Sequence, residues 1–405
     1  MMPSEEDVMK PFVMKKGISC ASAKETAPVV SVLIPYYNDA KYLPQAIESV
    51  LSQSYRSFEL ILVNHATTDN CREIAHGYDD PRIVHIDMAM NYGAGTGLIL
   101  RKALEVARGK YFKPFCADDV MRPNCLGDLV SYMELHPEKG FAFGNVEYID
   151  AEGKSLNKDF FTCRTKDTRS EIDCLRRFAK YESFLPYIGS IFRTVIVPVH
   201  DVDTVCIMLF DVSLWLRMLV EGHKIGFLNR IVSGYRIHEG QVSAIGNRAR
   251  SGWLCWFEGE VFYGLFASLR DLDVAKEVFA EATYIEQMTD VADLRFVLSV
   301  RMMEQRMFAN HQAYSYLRGL LNNDESRDYL ERKYGFTIRT MRELYEYHTD
   351  DLLRGWYRRC GINDLRIRDA LKVIFWHLYK ICNPFSSLYK KRRMEKNAAQ
   401  DQFSL

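Results

Sequence analysis

The sequence predicts a doubly wound α/β domain, with a mainly parallel sheet and helices on both faces, followed by a mainly helical region. Three observations carry this. Val29 to Pro35 (VVSVLIP) and Phe58 to Val63 (FELILV) are continuous apolar runs, the pattern of strands buried on both faces. Helically spaced apolar segments alternate with further short apolar runs, as a parallel sheet requires. Past about Asn247, Gly and Pro breaks become rare and patterns rich in Arg, Glu, Met and Tyr take over.

Asp39 is placed to cap a first helix, in which Leu43, Ile47, Val50 and Leu51 recur at helical spacing. A second helix opens after Thr67-Thr68 and spans Asp69 to Gly77, and Ile83 to Ile86 is a third strand. Leu98 to Ala107 reads as a third helix closed by Gly109, and Tyr111 to Cys116 as a fourth strand. Shorter strands from Phe141 to Phe161 surround a turn at Asp150 to Gly153. Leu214 to Leu219 is helical, and Lys224 to Tyr235 reads as a strand pair. The expected division is a disordered leader over 1–28, the α/β domain over 29–246, and a helical region with a basic tail over 247–405.

At 405 residues the chain exceeds one ordinary core, and 48% hydrophobic with 26% charged residues describes a globular protein. Lys+Arg and Asp+Glu balance at 53 each, which excludes a general attraction to nucleic acid. The ten cysteines form no CxxC pair and no zinc-like spacing, so reduced thiols are expected. Residues 1–27 lack the apolar core of a signal peptide, and a cytoplasmic protein is expected. Near the end, Ile367, Ala370, Leu371, Ile374, Leu378 and Ile381 share one helical face ahead of Lys390-Lys391-Arg392-Arg393. Two readings stand: a peripheral contact with the cytoplasmic face of a membrane, or a helix packed on its own domain with a solvated tail.

Doubly wound sheets bind ligands beyond the carboxyl ends of their strands. The segments leaving those ends are Tyr36-Tyr37-Asn38, Asn64 to Asp69 and Ala117-Asp118-Asp119, all polar or aromatic. Read in order, VSVLIPYYNDAKYLPQAIESVLSQSYRSFELILVNHATTD, GKYFKPFCADD, FGNVEYIDAEGKSL and FDVSLWLRMLVEGHKIGFLNRIVSGYRIHEGQVS resemble the inverting family 2 glycosyltransferases over roughly residues 29 to 245. The resemblance implies a GT-A, Rossmann-like fold, a nucleotide-sugar donor (a UDP-sugar first), a glycan or lipid-linked acceptor, and a divalent metal, Mn2+ or Mg2+.

It also implies roles for particular residues. Asp118 matches the last acid of the family's DxD motif and so a metal ligand, with Asp119 beside it and Cys116 in place of the first acid. Pro35, Tyr37 and Asn38 would form the first loop around the base, with Tyr37 as a stacking face. Asn64 and His65 stand where the family has two aspartates, one of which reads the base. Arg101 would approach the diphosphate, and Asn91 to Gly97 falls at the family's NxG loop. Asp211 in FDVSLWLR matches the catalytic base, with Phe210 and Ser213 replacing its acidic companions. His238 matches a histidine that can meet the metal or diphosphate. Trp215 and Arg217 read as packing and helix-surface residues.

Blander readings stay beside these. Asp118-Asp119 and Asp211 or Ser213 could be helix caps, Tyr36 and Tyr37 ordinary strand-end aromatics, and Arg101 a solvated helical residue. The replaced acids also allow a catalytically weakened homologue acting as a binding or scaffold subunit, or a transferase using a guanosine or thymidine donor.

Overall fold

The computed structural model describes residues 27–92, 96–165, 170–180, 182–204, 209–241, 261–305 and 310–344. They form two compact units: one holds the described residues up to Glu171 and from Ser183 to 241, the other 172–182 and those from 261 onward.

The first unit is built on a nine-stranded mixed sheet. Its strands are β1 (Val30–Tyr36), β2 (Phe58–Asn64), β3 (Ile83–Asp87), β4 (Tyr111–Pro114), β5 (Val120–Met121), β6 (Lys139–Ile149), β7 (Ser155–Asp159), β8 (Ser190–Arg193) and β9 (Lys224–Arg236). The order is β3-β2-β1-β4-β8-β6-β9-β5, with β7 paired on β6. The ladder β3-β2-β1-β4 is parallel, as is β6-β9, and β8 joins the two through antiparallel pairings. Every residue of β2 is buried, which is why its sequence is a continuous apolar run rather than an alternating one. The helices of this unit are α1 (Leu43–Leu51), α2 (Cys71–His76), α3 (Thr96–Val106), α4 (Cys125–Leu135) and α6 (Phe210–Val220); α5 (Glu171–Phe178) lies almost wholly in the second unit. Trp215 of α6 is fully buried and stacks on Phe141 of β6, with ring centroids 6.1 Å apart.

Register positions the functional loops. Tyr36 pairs with Asn64, and Asn64 with Asp87, so three strands end in line and release their loops at one edge. The short β5 follows Asp118-Asp119 directly and pairs with Ser233-Gly234 near the end of β9. This pairing carries the segment after β9 to the acid pair, across 120 positions of sequence.

Three local expectations change. Asp39 does not cap α1 with its side chain: Tyr42 is the N-cap, and the Asp39 carbonyl accepts the N–H groups of Tyr42 and Leu43. Residues 224–236 form one strand, not a pair, because Asn229-Arg230 falls where the register against β6 shifts at a bulge rather than at a turn. Gly109 does not close α3, which ends at Val106. An ideal Cβ on Gly109 would lie 2.4 Å from the Ser31 backbone nitrogen, so glycine is there for close approach of two chain segments. The turn at Asp150 to Gly153 forms as expected, with Gly153 at φ 90.

The second unit is helical in its described part: α5, α7 (Leu272–Val278), α8 (Leu294–Gln305), α9 (Asn310–Asn322) and α10 (Asp324–Tyr334). Asp271 caps α7 through the N–H groups of Asp273 and Val274, and Gly335, left-handed at φ 64, closes α10. Among the described residues no helix is long and apolar enough to cross a membrane. The leader, the junction near 246, the amphipathic segment from Ile367 and the basic run at 390–393 lie outside the described residues, apart from 27 and 28.

Candidate active site

The site assembles around Asp118. Its Oδ2 lies 3.1 Å from Nε2 of His238, and both side chains keep some exposure, 26% and 13%. The tyrosine ring of Tyr42 backs His238, with centroids 4.8 Å apart. Neither capping reading of the acid pair survives: Asn124 is the N-cap of α4, and Asp119 is turned inward to accept the Arg236 N–H at 2.7 Å. Arg236 is fully buried and fixes the loop by main-chain contacts. Its guanidinium donates to the carbonyls of Asp118 (2.7 Å), Asp150 (3.2 Å) and Ala151 (2.8 Å), and to Oε1 of Gln45. Arg236 stands inside the quoted YRIH motif, beside His238, yet nothing in its local spacing announced this role.

Three potential ligand atoms, from Cys116, Asp118 and Asp119, lie within 4.8 Å of one another. Asp119 is buried, and its Oδ2 has no hydrogen-bond partner. Burial, then the neighbouring Asp118 charge, pushes its carboxyl well above the usual carboxylate range. Burial and then the charges of Asp119 and Asp118 push the Cys116 thiol up likewise. An orphaned buried carboxylate oxygen amid other ligand atoms is what a divalent cation satisfies. The Asp118–His238 separation also matches that of adjacent ligands on one cation, about 3 Å. The residues present therefore fit a metal, with Cys116, Asp118 and Asp119 clustered and His238 against Asp118.

The loops leaving β1 and β2 are less uniform. Tyr37 is exposed, and its ring meets His65 edge-on at 6.3 Å; His65 in turn stacks at 6.4 Å on the exposed Tyr92. Asn38 adopts φ 56, and its Oδ1 accepts the Thr68 N–H at 2.9 Å, stitching the first loop to the second. Pro35, half-buried, pairs in register with Val63. The Asn64 amide is engaged at both ends, donating to Asp87 at 2.9 Å and accepting the Thr67 N–H at 2.9 Å. His65 is buried, which lowers its pKa, and its Nε2 accepts the Tyr92 N–H at 3.0 Å. Asp69 holds the loops together, accepting from the Ala40 N–H and the Thr67 hydroxyl; burial opposes ionisation, but these bonds and those from Cys71 hold its carboxyl at about 2.

Asp39 was passed over as a site residue. Burial pushes its carboxyl to about 6 against the pull of the Tyr37 N–H, and the charges of Asp118 and Asp69 push the same way. No motif marks it, because its proximity to Asp118 comes from the alignment of strand ends.

Asp211 lies in the first turn of α6, where its Oδ1 accepts the Val212 N–H at 2.8 Å. It is not the N-cap, which is Leu209, and Ser213 donates to the Phe210 carbonyl inside the helix, so neither capping reading holds here. Tyr187 connects this region to the acid loop. Its ring meets Phe210 edge-on at 5.3 Å, and after burial the charges of Cys116 and Asp211 push its hydroxyl upward. That hydroxyl is buried without a partner. The next residue's carbonyl, of Ile188, is held by buried Lys113 and by Ser233. Sequence reading missed Tyr187, since only tertiary packing brings it near both Cys116 and Asp211. Arg101 makes a 3.9 Å ion pair with Glu105 one turn along α3.

This is the architecture of a GT-A transferase: a parallel ladder β3-β2-β1-β4, an acid loop after β4, and a second sheet half that returns a histidine to that loop. The model of the family "Glycosyl transferase family 2" matches residues 31–197. Escherichia coli WfaP, a UDP-Glc:alpha-D-GlcNAc-diphosphoundecaprenol beta-1,3-glucosyltransferase, is 30% identical over 219 residues, 53% of this chain and 80% of its own. The glycosyltransferase MJ1057 of Methanocaldococcus jannaschii is 28% identical over 214 residues, 52% of this chain and 71% of its own. Among solved structures, S. aureus TarS 1–349 in complex with UDP has a TM-score of 0.45 and 15% identity, over 68% of this chain and 77% of that one, a distance at which the likeness adds nothing further. The chain belongs to glycosyl transferase family 2 and is a glycosyltransferase.

Proposed function

We propose that the chain moves a sugar from a nucleoside-diphosphate donor, a UDP-sugar, to a glycan or lipid-linked acceptor of the cell envelope, inverting the anomeric centre. In this reading residues 29–246 form the catalytic domain and 247–405 a mainly helical C-terminal region. The observation that carries it is the Asp118–His238 contact beside the orphaned oxygen of Asp119. The Escherichia coli relative, named for UDP-Glc and an undecaprenol-linked acceptor, supports the choice of donor and acceptor class.

The chain's own residues divide the work. Asp211 takes the proton from the acceptor hydroxyl as that oxygen bonds to the anomeric carbon, and the carbon–diphosphate oxygen bond breaks on the opposite face. Asp118 and His238 would hold a divalent cation, Mn2+ or Mg2+ being the ions the family resemblance implies, and that cation would supply charge to neutralise the departing diphosphate. Tyr37 offers the base a stacking face. Arg101, Asn38, Asn64, His65 and Asp119 complete the donor side, Asn64 and His65 by shaping the loop rather than by free polar edges.

A guanosine or thymidine donor is the second reading, favoured by the engaged amide of Asn64. Melting with UDP, GDP and dTDP, each with and without Mn2+, separates the two, because a ligand that binds only the native state raises its melting temperature. A metal-dependent shift with UDP alone is expected; a shift with GDP or dTDP alone moves the donor, and no shift with any nucleotide favours a non-catalytic binding subunit. Asp211→Asn should lower kcat by about 10²–10⁴-fold while the nucleotide shift persists. Asp118→Asn should abolish the metal dependence of that shift. Full transfer activity in both variants would sink these assignments.

A further inference from the structure

Cys116 occupies the place of an acid in the loop that holds Asp118, and its side chain does not retreat from the site. Its potential ligand atom and those of Asp118 and Asp119 lie within 4.8 Å of one another, and Cys116 itself is only partly buried. Asp119 supplies an independent sign of a ligand: it is 1% exposed, in the same cluster, with Oδ2 unpartnered. The hydrogen bonds of the nearest basic side chains go to main-chain carbonyls rather than to the free Asp119 oxygen. Lys113 donates to the carbonyls of Pro114 and Ile188, and the Arg236 guanidinium to those of Asp118, Asp150 and Ala151. What remains is a donor set of one sulfur and carboxylate oxygens, with the His238 imidazole against Asp118.

Such a set differs in kind from an all-oxygen one. Carboxylates and water suit magnesium, whereas thiolate and imidazole suit zinc, cobalt and cadmium. We propose that Cys116 is a metal ligand here and makes the site thiophilic, selecting zinc-like cations over magnesium. The proposal rests on the reading that the Asp118 loop binds a divalent cation, and goes beyond it in naming the sulfur donor and the resulting preference.

The test uses the full-length chain, stripped of metal, with UDP present, titrated with Co2+. A thiolate ligand gives a sulfur-to-cobalt charge-transfer band in the near ultraviolet, beside the weaker visible bands of any bound cobalt. The expected result is a near-ultraviolet band that Cys116→Ser removes while the visible bands remain. Competition should then show Zn2+ displacing Co2+ far below the Mg2+ needed. Cys116→Asp, which keeps a ligand and guards against a folding artefact, should narrow that gap by about tenfold or more. Visible bands with no near-ultraviolet band, or a band that Cys116→Ser leaves intact, would overturn the sulfur ligand while leaving the metal reading standing. No cobalt bound to the wild-type chain at all would overturn both.

Discussion

At the scale of single residues, the site stores unfavourable charge that its ligands relieve. Asp39 shows it in measurable form. Its carboxyl stands at about 6 in the folded chain against an ordinary 3.8, so ionising it costs stability. That cost is absent below the ordinary value, where both states are protonated, and complete above the folded one. Asp39→Asn keeps an acceptor for the Tyr37 N–H and removes the charge. It should raise the melting temperature at pH 7 and leave it unchanged near pH 3.5; a variant equally stabilised at both would place the cost elsewhere. Tyr187 makes a second case. Its buried hydroxyl has no partner, so Tyr187→Phe should leave stability within about 1 kcal/mol of the wild type or raise it, read by urea unfolding. A larger loss would mean that the hydroxyl is bonded in solution.

At the scale of elements, strand register does the positioning, and register governs what could be read beforehand. The apolar runs of β1 and β2 announce themselves because burial on both faces leaves no alternation to misread. Asp118, Asp211 and His238 can be singled out in the sequence because each sits in a motif whose order along the chain carries information. Asn64 was legible as a position but not as a use: its amide is consumed by Asp87 and Thr67, contacts set by the β2–β3 pairing. Asp39, Tyr187 and Arg236 were not legible as site residues, since what matters about each is a neighbour dozens of positions away. The same logic applies to Gly109, where β4 enters beside β1. Its N–H donates to Ser31 Oγ, which donates to the buried Glu59, itself paired with Arg108. Gly109→Ala drives a methyl group into the Ser31 backbone and should cost about 3 kcal/mol, measured by denaturant titration. A cost under about 1 kcal/mol would mean that the two segments can separate freely.

At the scale of the whole molecule, two units with separate cores carry separate stabilities. The sheet unit packs around residues such as Val32, Ile34, Leu60 and Leu62, while the helical unit has its own buried set, including Phe296, Leu298 and Tyr334. Scanning calorimetry should resolve two transitions rather than one. UDP with a divalent cation should raise only the transition of the sheet unit, since the residues proposed to hold the donor all lie there. Equal movement of both would show that the units melt together.

The Arg236 clamp has a consequence for how this enzyme can change. Its bonds go to main-chain carbonyls of Asp118, Asp150 and Ala151, which every amino acid offers, and to the side chain of Gln45. Apart from Asp119, whose side chain accepts the Arg236 N–H, the path of the acid loop is therefore largely indifferent to which side chains the loop displays. An exchange of acid for thiol at 116 leaves all of these bonds in place. On the reading proposed for Cys116, metal preference can then be rewritten at one position, while loss of the Arg236 guanidinium would release Asp118, Asp150 and Ala151 together.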